Sequence, residues 1–376
     1  MTFNKWLDRL ASVRLTLVCL GLMMVLVVFG TLAQVDLGTF AAQQRYFNTF
    51  IVFRDVGDWS APFLPGGLTV GGLWLVNLVA AFIKRFRWKR SEAGIYISHA
   101  GLILLLIGQF LAQTLAKESE MPIRVGQSLN YTESPRETEL VLTKISDPDL
   151  DEVTSIPYSL FSREGEIRPP RLPFAIVVRR FMPNAQLGMA GPGARTLATQ
   201  GIGTRVQAEE IPPTASDEES NNVSAFVEIR AGGRSLGVWL VSSGLGAPQS
   251  FFAGGGEYRI AIRPRRTYLP YTLTLKEFRH DVYPGTDIPK NFSSLVHLSH
   301  PEKHESRDAL IYMNHPLRYA GRTFYQESFG EGDRLSVLQV VDNPASSAPY
   351  VSCALIVLGL AIQFLSHLVG FARSRA

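Results

Sequence analysis

Residues 93–116 read AGIYISHAGLILLLIGQFLAQTLA, an apolar run that contains no Lys, Arg, Asp or Glu. A helix of about 20 apolar residues is long enough to cross the hydrocarbon core of a bilayer. Three further runs have the same character, and they occupy residues 15–33, 63–83 and 349–372. The sequence therefore predicts four transmembrane helices, three within residues 1–116 and the fourth within residues 349–376.

The first run can also be compared with a signal peptide, because Thr31-Leu32-Ala33 forms a marginal cleavage site. Its apolar part is longer than the central region of a typical signal peptide. We therefore expect residues 15–33 to be retained as a membrane span.

Basic residues flank the runs at three places that a four-span chain puts on one side of the membrane. They are Lys5, Arg9 and Arg14 before the first run, Lys84, Arg85, Arg87, Lys89 and Arg90 between the second and third, and Arg373 and Arg375 after the fourth. Loops rich in Lys and Arg stay in the cytoplasm, so both termini are predicted to be cytoplasmic. Residues 34–62 and 117–348 then lie outside, which predicts a bacterial inner-membrane protein with a periplasmic domain. The net charge of +4 needs no nucleic-acid partner to explain it.

From Thr138 onward, the predicted outer domain contains short runs of alternating apolar and polar residues. The candidate strands are 139–145, 174–181, 223–231, 235–241, 257–262, 272–278, 295–298, 323–327 and 335–341. Alternation rich in β-branched and aromatic residues predicts strands, and Gly254-Gly255-Gly256 predicts a hairpin turn. The predicted class is an α+β membrane protein, with a large antiparallel β-rich extracytoplasmic domain inserted between transmembrane helices three and four.

The β-rich domain lacks the signatures of several kinds of chemistry. Cys19 and Cys353 both lie in apolar runs, so the domain cannot hold a disulfide, and no CxxC or CxxCH motif occurs. No nucleophile elbow, phosphate-binding loop or HExxH motif is present, so we predict no catalytic residue. His297, His300 and His304 have a metal-like spacing, but on a strand the first two point to opposite faces. We therefore expect no metal site.

The outer loop, residues 34–62, carries apolar and aromatic side chains close to two arginines. They are Tyr46, Phe47, Phe50, Ile51 and Phe53, and the arginines are Arg45 and Arg54. The pattern predicts an interfacial segment. A short helix lying in the interface and a loop packed on the helix bundle fit it equally well.

Close packing between the predicted helices has its own sequence signal. Gly67 and Gly71 form a GxxxG motif in the second run. Two glycines at that spacing let helix backbones approach each other, so we expect the second helix to pack through this face.

Polar side chains inside the apolar runs carry the main functional signal, because they are costly in hydrocarbon and usually face the protein interior. In the third run His99, Gln109 and Gln113 fall within about 80° of one another around a helix. The fourth run has a looser set within about 120°, namely Cys353, Gly359, Gln363 and His367. Both histidines lie about one to two turns from the cytoplasmic ends of their runs, so we expect similar depths.

A neutral imidazole in apolar surroundings is a good ligand for haem iron, and a porphyrin needs apolar walls. We therefore consider His99 as a haem axial ligand, and Gln109, Gln113 and Gln363 as a polar face within the membrane. The alternative is a histidine hydrogen-bonded to a neighbouring helix. His367 is the weaker candidate, since a side chain that near the end of a run can reach the interface.

Three stretches of the chain carry a resemblance to a known family. The longest, residues 314–329, reads NHPLRYAGRTFYQESF; the others are YPGT at 283–286 through NFSS at 291–294, and LASVRLT at 10–16. Together with three spans, a large outer β domain and one closing span, they resemble the ResB family. These proteins, also called CcsB, are the cytochrome c biogenesis proteins of System II.

The resemblance implies a partner and a cofactor. In that family ResB works with a second membrane protein, ResC or CcsA, and the pair takes haem b from the cytoplasmic side and presents it to the CxxCH motif of apocytochrome c. A histidine of the third ResB span is implicated as a haem ligand, and His99 is the matching position. The haem-ligating outer histidines of the family belong to the partner, so the five outer histidines here are expected to be incidental.

The resulting prediction is a haem-handling subunit of a System II holocytochrome c synthase, with little chemistry of its own. The predicted partners are haem b, a ResC/CcsA-type membrane protein, apocytochrome c and membrane lipid. The alternative is a non-catalytic membrane scaffold that stabilises the haem-binding partner subunit. A transporter is disfavoured, because four spans offer no pair of discontinuous helices.

Overall fold

The computed structural model describes residues 2–57, 59–86, 89, 92–146, 151–191, 196–214, 221–285 and 289–375. The described residues from Lys117 to Asp342 form one compact unit, and those up to Ala116 together with those from Asn343 onward form another. The first is β-rich and antiparallel, and the second is helical. This confirms the predicted α+β class. Arg87 and Arg90 of the predicted basic loop, and Thr286 of the YPGT stretch, lie outside the described residues.

Six α-helices occur in the described part of the chain. They are α1 Thr2–Leu10, α2 Val13–Tyr46, α3 Gly67–Arg85, α4 Ala93–Leu115, α5 Tyr158–Phe161 and α6 Ala348–Arg375. Within that part, four of them are long and apolar enough to cross a membrane: α2, α3, α4 and α6. Their apolar runs contain few helix-breaking residues and no Lys, Arg, Asp or Glu, which favours a long helix in each.

The segment predicted as an outer loop, residues 34–62, folds differently from the prediction. Helix α2 continues to Tyr46, with a break at Gly38, whose φ of 76° suits a residue without a Cβ. Residues 51–56 and 59–65 then pair as strands β1 (Ile51–Val56) and β2 (Trp59–Pro65). Val52 is buried while Ile51 and Phe53 are exposed, and this alternation favours a strand over the interfacial helix considered from the sequence.

Small residues on one face of α4 let α6 approach closely. The buried residues of α4 are Gly94, Ser98, Gly101 and Gly108. A Cβ on Gly101 would lie 2.8 Å from Ile356 Cγ1, and a Cβ on Gly108 would lie 2.5 Å from Ala348 Cβ. Close packing of α4 on α6 therefore depends on the absence of side chains at these positions.

The expected packing of α3 through its GxxxG motif is wrong. Gly71 faces open space, and the close neighbour of Gly67 is the backbone of Phe47 rather than another long helix. The GxxxG spacing shows that one face of α3 lacks bulky side chains. It does not show which face of α3 a neighbouring helix contacts.

A buried asparagine holds the start of α2 against α3. Thr16 donates a 2.7 Å hydrogen bond to Asn77 Oδ1. The Asn77 amide donates to the carbonyl oxygens of Leu10 at 2.5 Å and Ser12 at 3.1 Å. Ser12 also accepts from the backbone N–H of Leu15 and so caps α2. Every polar atom of the Asn77 side chain is thus paired, as burial requires.

The β-rich unit contains sixteen strands in its described part. They are β3 Lys117–Arg124, β4 Ser128–Ile145, β5 Asp151–Pro157, β6 Gly165–Ile167, β7 Phe174–Met182, β8 Ala185–Met189, β9 Val206–Glu210, β10 Ser224–Ala231, β11 Arg234–Ser242, β12 Gln249–Ala253, β13 Gly256–Val282, β14 Pro289–His300, β15 Glu305–Tyr312, β16 Leu317–Tyr319, β17 Arg322–Gly330 and β18 Leu335–Asp342. One sheet has the order β11-β10-β7-β6, and a ten-stranded sheet has the order β15-β14-β13-β4-β3-β18-β17-β16, with β12 on β13 and β5 on β4. The predicted hairpin turn is confirmed, since Gly254 and Gly255 join β12 to β13 with positive φ.

Two hydrophobic cores lie along the long strands β4 and β13. The first joins the four-stranded sheet to the β4–β13 pair and includes Leu140, Val227 and Ile260. The second is built by β3 and β14 to β18 together with the other ends of β4 and β13, and includes Leu273 and Phe324. Both cores share these two strands and belong to the same compact unit.

We expect Gly359→Ala to destabilise the helical unit by about 1–3 kcal/mol, since the added methyl group would lie 2.6 Å from the carbonyl oxygen of Gly94. The control is Gly71→Ala, which adds its methyl group to open space and gains helix propensity. Thermal unfolding of the full chain in detergent, followed by its helical circular dichroism, measures both. Equal midpoints for the two variants would contradict the close packing of α4 on α6.

Candidate functional site

His99 lies in the second turn of α4, about 9 Å along the axis from the first residue, Ala93. Its Nδ1 is 2.8 Å from the carbonyl oxygen of Ile95. A carbonyl oxygen only accepts, so Nδ1 carries the proton and Nε2 keeps its lone pair. A ring fixed through Nδ1–H to a backbone carbonyl is the arrangement that presents Nε2 to a metal.

A flank of α4, here named the His99 flank, runs from His99 through Gln109 to Gln113. His99 and Gln109 each follow a residue of the α6-facing side, Ser98 and Gly108, by one position. They therefore lie about 100° around the helix from the face that packs on α6. Gln109 and Gln113 are exposed, and His99 is partly buried. The helical unit thus leaves this polar flank open.

The second predicted pair, Gln363 and His367 on α6, forms one hydrogen bond between its two side chains. The Gln363 amide lies 2.8 Å from His367 Nε2, and since an amide nitrogen only donates, the ring nitrogen accepts. The lone pair of His367 Nε2 is therefore engaged. Gln363 also packs its backbone against Gly94, so it belongs to the α4–α6 contact rather than to the His99 flank.

The expectation that His99 and His367 lie at similar depth is wrong. Gly94 sits beside Gly359 and Gln363, whereas Gly108 sits beside Ala348, so the two helices are antiparallel in a fixed register. In that register His99 is level with the region near Ile356, and His367 lies roughly eleven residues further, about 16 Å along the axis. The prediction was wrong because the C-terminal part of α6 extends well beyond the level of Ala93, the first residue of α4. The two imidazoles cannot ligate one iron from opposite sides.

The three closely spaced histidines of the β-rich unit have separate surroundings. His297 Nδ1 is 2.6 Å from Asp308, whose carboxylate also accepts from Lys276 at 2.8 Å. The Lys276 ammonium and then the His297 ring hold the pKa of Asp308 below its usual value. His300 is buried and stacks on Tyr271. Within the described residues, no group of three or more His, Cys, Asp or Glu side chains is arranged to hold a metal ion.

An acidic cluster lies near the start of the β-rich unit and was not predicted from the sequence. Glu120 on β3 pairs across the sheet with Glu133 on β4. Burial, and then repulsion by Glu133, raises the pKa of Glu120. Burial also raises the pKa of Glu327 on β17, with repulsion from Glu120 and Glu118 adding to it. The alternation Glu118-Ser119-Glu120 was the available signal, because it puts two carboxylates on one face of a strand.

Comparison with known proteins connects part of the β-rich unit to a family. A model of the ResB-like family matches residues 247–337, which run from β12 into β18. The protein NrfI of Wolinella succinogenes is 33 % identical over 101 residues, which are 27 % of this chain. The chain covers 11 % of the length of that relative. The resemblance to ResB proteins predicted from the sequence is confirmed for the matched segment.

We expect Glu120→Gln to raise the thermal midpoint of the full chain at neutral pH, by on the order of 1–2 °C. The folded pKa of Glu120 lies above its usual value, so its charged form opposes folding and this penalty is lost as pH falls through the folded pKa. The gain should therefore shrink towards acidic pH. Glu209→Gln, at an exposed position on β9, is the control. A gain that is equally large at acidic pH would contradict the assignment.

Proposed function

We propose that this chain is a haem-handling membrane subunit of a System II cytochrome c biogenesis complex, a holocytochrome c synthase. The ResB-like match supports the cytochrome c biogenesis role. Four helices suited to crossing a membrane support an integral membrane protein. Following the positive-inside rule, both termini are cytoplasmic and the β-rich unit is periplasmic in the bacterial inner membrane.

The observation that carries the proposal is the state of the His99 ring. Its Nδ1–H is bound to the backbone carbonyl of Ile95, which leaves the Nε2 lone pair for a ligand. The ring lies on a flank that no contact with α6 covers, and Leu102 and Leu106 on the same flank supply the apolar surface that a porphyrin needs. The donor set therefore fits a haem axial ligand.

The residues of this chain would hold and orient the haem, and the haem would supply the vinyl groups that react with the cysteine thiols of apocytochrome c. His99 would hold iron near the cytoplasmic leaflet. Gln109 and Gln113 lie on the same flank towards the other end of α4 and would border the path outward. No residue of the β-rich unit is assigned a catalytic role, and this unit would position the apocytochrome by proximity.

A further ligand to the iron would, in this proposal, come from a partner membrane protein of the ResC/CcsA type. The helical unit contains one other histidine, His367, and its Nε2 is engaged by Gln363. That histidine also lies about 16 Å from the level of His99. A ligand from the partner would cover the His99 flank and complete the site.

The alternative, a scaffold that stabilises the partner without binding haem, is favoured by the exposed glutamines. Gln109 and Gln113 are exposed on a helix suited to hydrocarbon, where an unpaired amide is costly. A partner helix with polar groups would satisfy them whether or not haem is present. Haem content and partner retention therefore have to be measured separately.

We expect His99→Ala to lose most of the haem that co-purifies with the wild-type chain and its partner, because the iron loses a ligand. Exogenous imidazole should restore the absorption spectrum by filling the vacated position. The matched control is His367→Ala, which removes the other imidazole of the helical unit and should keep wild-type haem. Equal haem in wild type and His99→Ala would remove His99 as a ligand, and no haem in either would favour the scaffold.

We expect the double substitution Gln109→Leu and Gln113→Leu to reduce partner retention during affinity purification several-fold, because polar groups of the partner helix would lose both amides as hydrogen-bond partners. Thr114→Val is the control, since the Thr114 hydroxyl already donates to the carbonyl oxygen of Phe110 in its own helix. Quantitative immunoblotting of the co-purified partner measures the effect. Undiminished retention would assign the two glutamines to the haem path instead.

A further inference from the structure

The stretch LASVRLT, residues 10–16, forms an elbow between α1 and α2. Leu10 ends α1, Ser12 caps α2, and the carbonyl oxygens of both accept from the Asn77 amide. Asp8 on α1 also bonds Lys84 on α3 at 2.7 Å. The short helix is therefore held at a fixed angle to α2 and close to the far end of α3. The haem proposal does not account for the Asn77 hydrogen bonds and the Asp8–Lys84 ion pair at this elbow.

Helix α1 has the character of a helix that lies on a membrane. Its apolar residues Phe3, Trp6, Leu7 and Leu10 recur at helical spacing, and Lys5 and Arg9 lie between them. With nine residues it is too short to cross a bilayer. Trp6 is 62 % exposed, and the Arg9 guanidinium lies 5.7 Å from the centre of its ring. Tryptophan beside a cationic side chain is typical of the membrane interface.

A shallow cleft, largely open to its surroundings, lies at the elbow and is lined by Asp8, Arg9, Ser12, Val13 and Arg14. Asp8 is engaged with Lys84, so the two guanidinium groups dominate the charge of the cleft. Within the part of the chain that the structure describes, neither Arg9 nor Arg14 pairs with a carboxylate. Two such groups can bind a phosphate through several charge-assisted hydrogen bonds.

The surroundings of the cleft are apolar. On α2, Val13 is 56 % exposed and Leu17 is 64 % exposed, and both continue from the cleft along the helix. A ligand that combines a phosphate with long hydrocarbon chains would use both surfaces at once. Free phosphate would leave the apolar surface in water, so the combination favours a phospholipid.

We propose that the elbow binds an anionic phospholipid of the cytoplasmic leaflet, with the phosphate between Arg9 and Arg14 and an acyl chain along Val13 and Leu17. The inference rests on the proposed membrane crossing of α2 and α3, but not on haem binding. Anionic lipids are enriched at cytoplasmic surfaces, where they attract basic segments next to a span. The bound lipid would fix the depth of α2 and α3 in the bilayer.

The test compares the full chain with the double variant Arg9→Gln and Arg14→Gln. The matched control is Arg373→Gln with Arg375→Gln, which removes the same charge from the basic end of α6. Each protein is reconstituted in nanodiscs that contain phosphatidylglycerol and phosphatidylcholine, then extracted and washed in detergent. Mass spectrometry of the retained lipids gives the phosphatidylglycerol-to-protein ratio.

We expect wild type and control to retain similar phosphatidylglycerol, and the elbow variant to retain at least threefold less, without loss of phosphatidylcholine. The variant Arg9→Lys with Arg14→Lys keeps the charge and should recover part of the binding. An unchanged ratio in the elbow variant would overturn the proposal. Displacement of the lipid by millimolar inorganic phosphate would show that the cleft binds free phosphate instead. Equal loss of phosphatidylglycerol and phosphatidylcholine would show that the elbow only contacts lipid through its apolar side chains, without selecting the anionic headgroup. Haem content measured on the same samples separates this outcome from the haem proposal.

Discussion

The close contact between α4 and α6 sets the geometry on which the candidate site depends. Gly101 and Gly359 carry no side chains where the helices meet, so the backbones approach and only one rotation of α4 fits. That rotation turns His99 away from α6 and leaves its flank open. The same contact fixes the antiparallel register, which separates His99 from His367 along the axis. A site that could have been a two-histidine pair is therefore a one-histidine site in this chain.

In the β-rich unit, the two long strands β4 and β13 each contribute residues to both hydrophobic cores. Strands β4 and β13 contribute alternate residues to both, and the second core also contains a polar network in which Ser294 bonds Gln326 at 2.6 Å and Ser336 at 2.8 Å. Every member of this network has a partner, so it tolerates burial. The segment that matches the ResB-like family lies in this region, from β12 into β18.

The sequence allowed the four long apolar helices and eight of the eighteen strands in the described residues to be predicted, since hydropathy and alternation are properties of neighbouring residues. It did not predict which faces of the helices pack against each other. The GxxxG pattern at Gly67 and Gly71 is as strong a local signal as the glycines of α4, yet α4 makes the contact and Gly71 faces open space. The pairing of Glu120 with Glu133 and the depth of His367 escaped for the same reason: each depends on register between distant segments. His99 was accessible, because a lone histidine in a long apolar run is conspicuous in any register.

The open His99 flank connects these observations. A protein that crosses a bilayer has no water to satisfy exposed amides, so Gln109 and Gln113 require a polar neighbour. The ring of His99 requires one too, because its Nε2 lone pair has no donor while Nδ1 is held by Ile95. The side chains of His99, Gln109 and Gln113 lie on one flank of α4, and within the described residues each has a polar atom without a partner. The cost of leaving them unpaired is removed most simply if one surface covers all three. Haem alone could satisfy the imidazole but not both glutamines, which lie about three and four turns away along α4. A surface that covers all three groups would extend along the helix, as the helix of the proposed partner protein would.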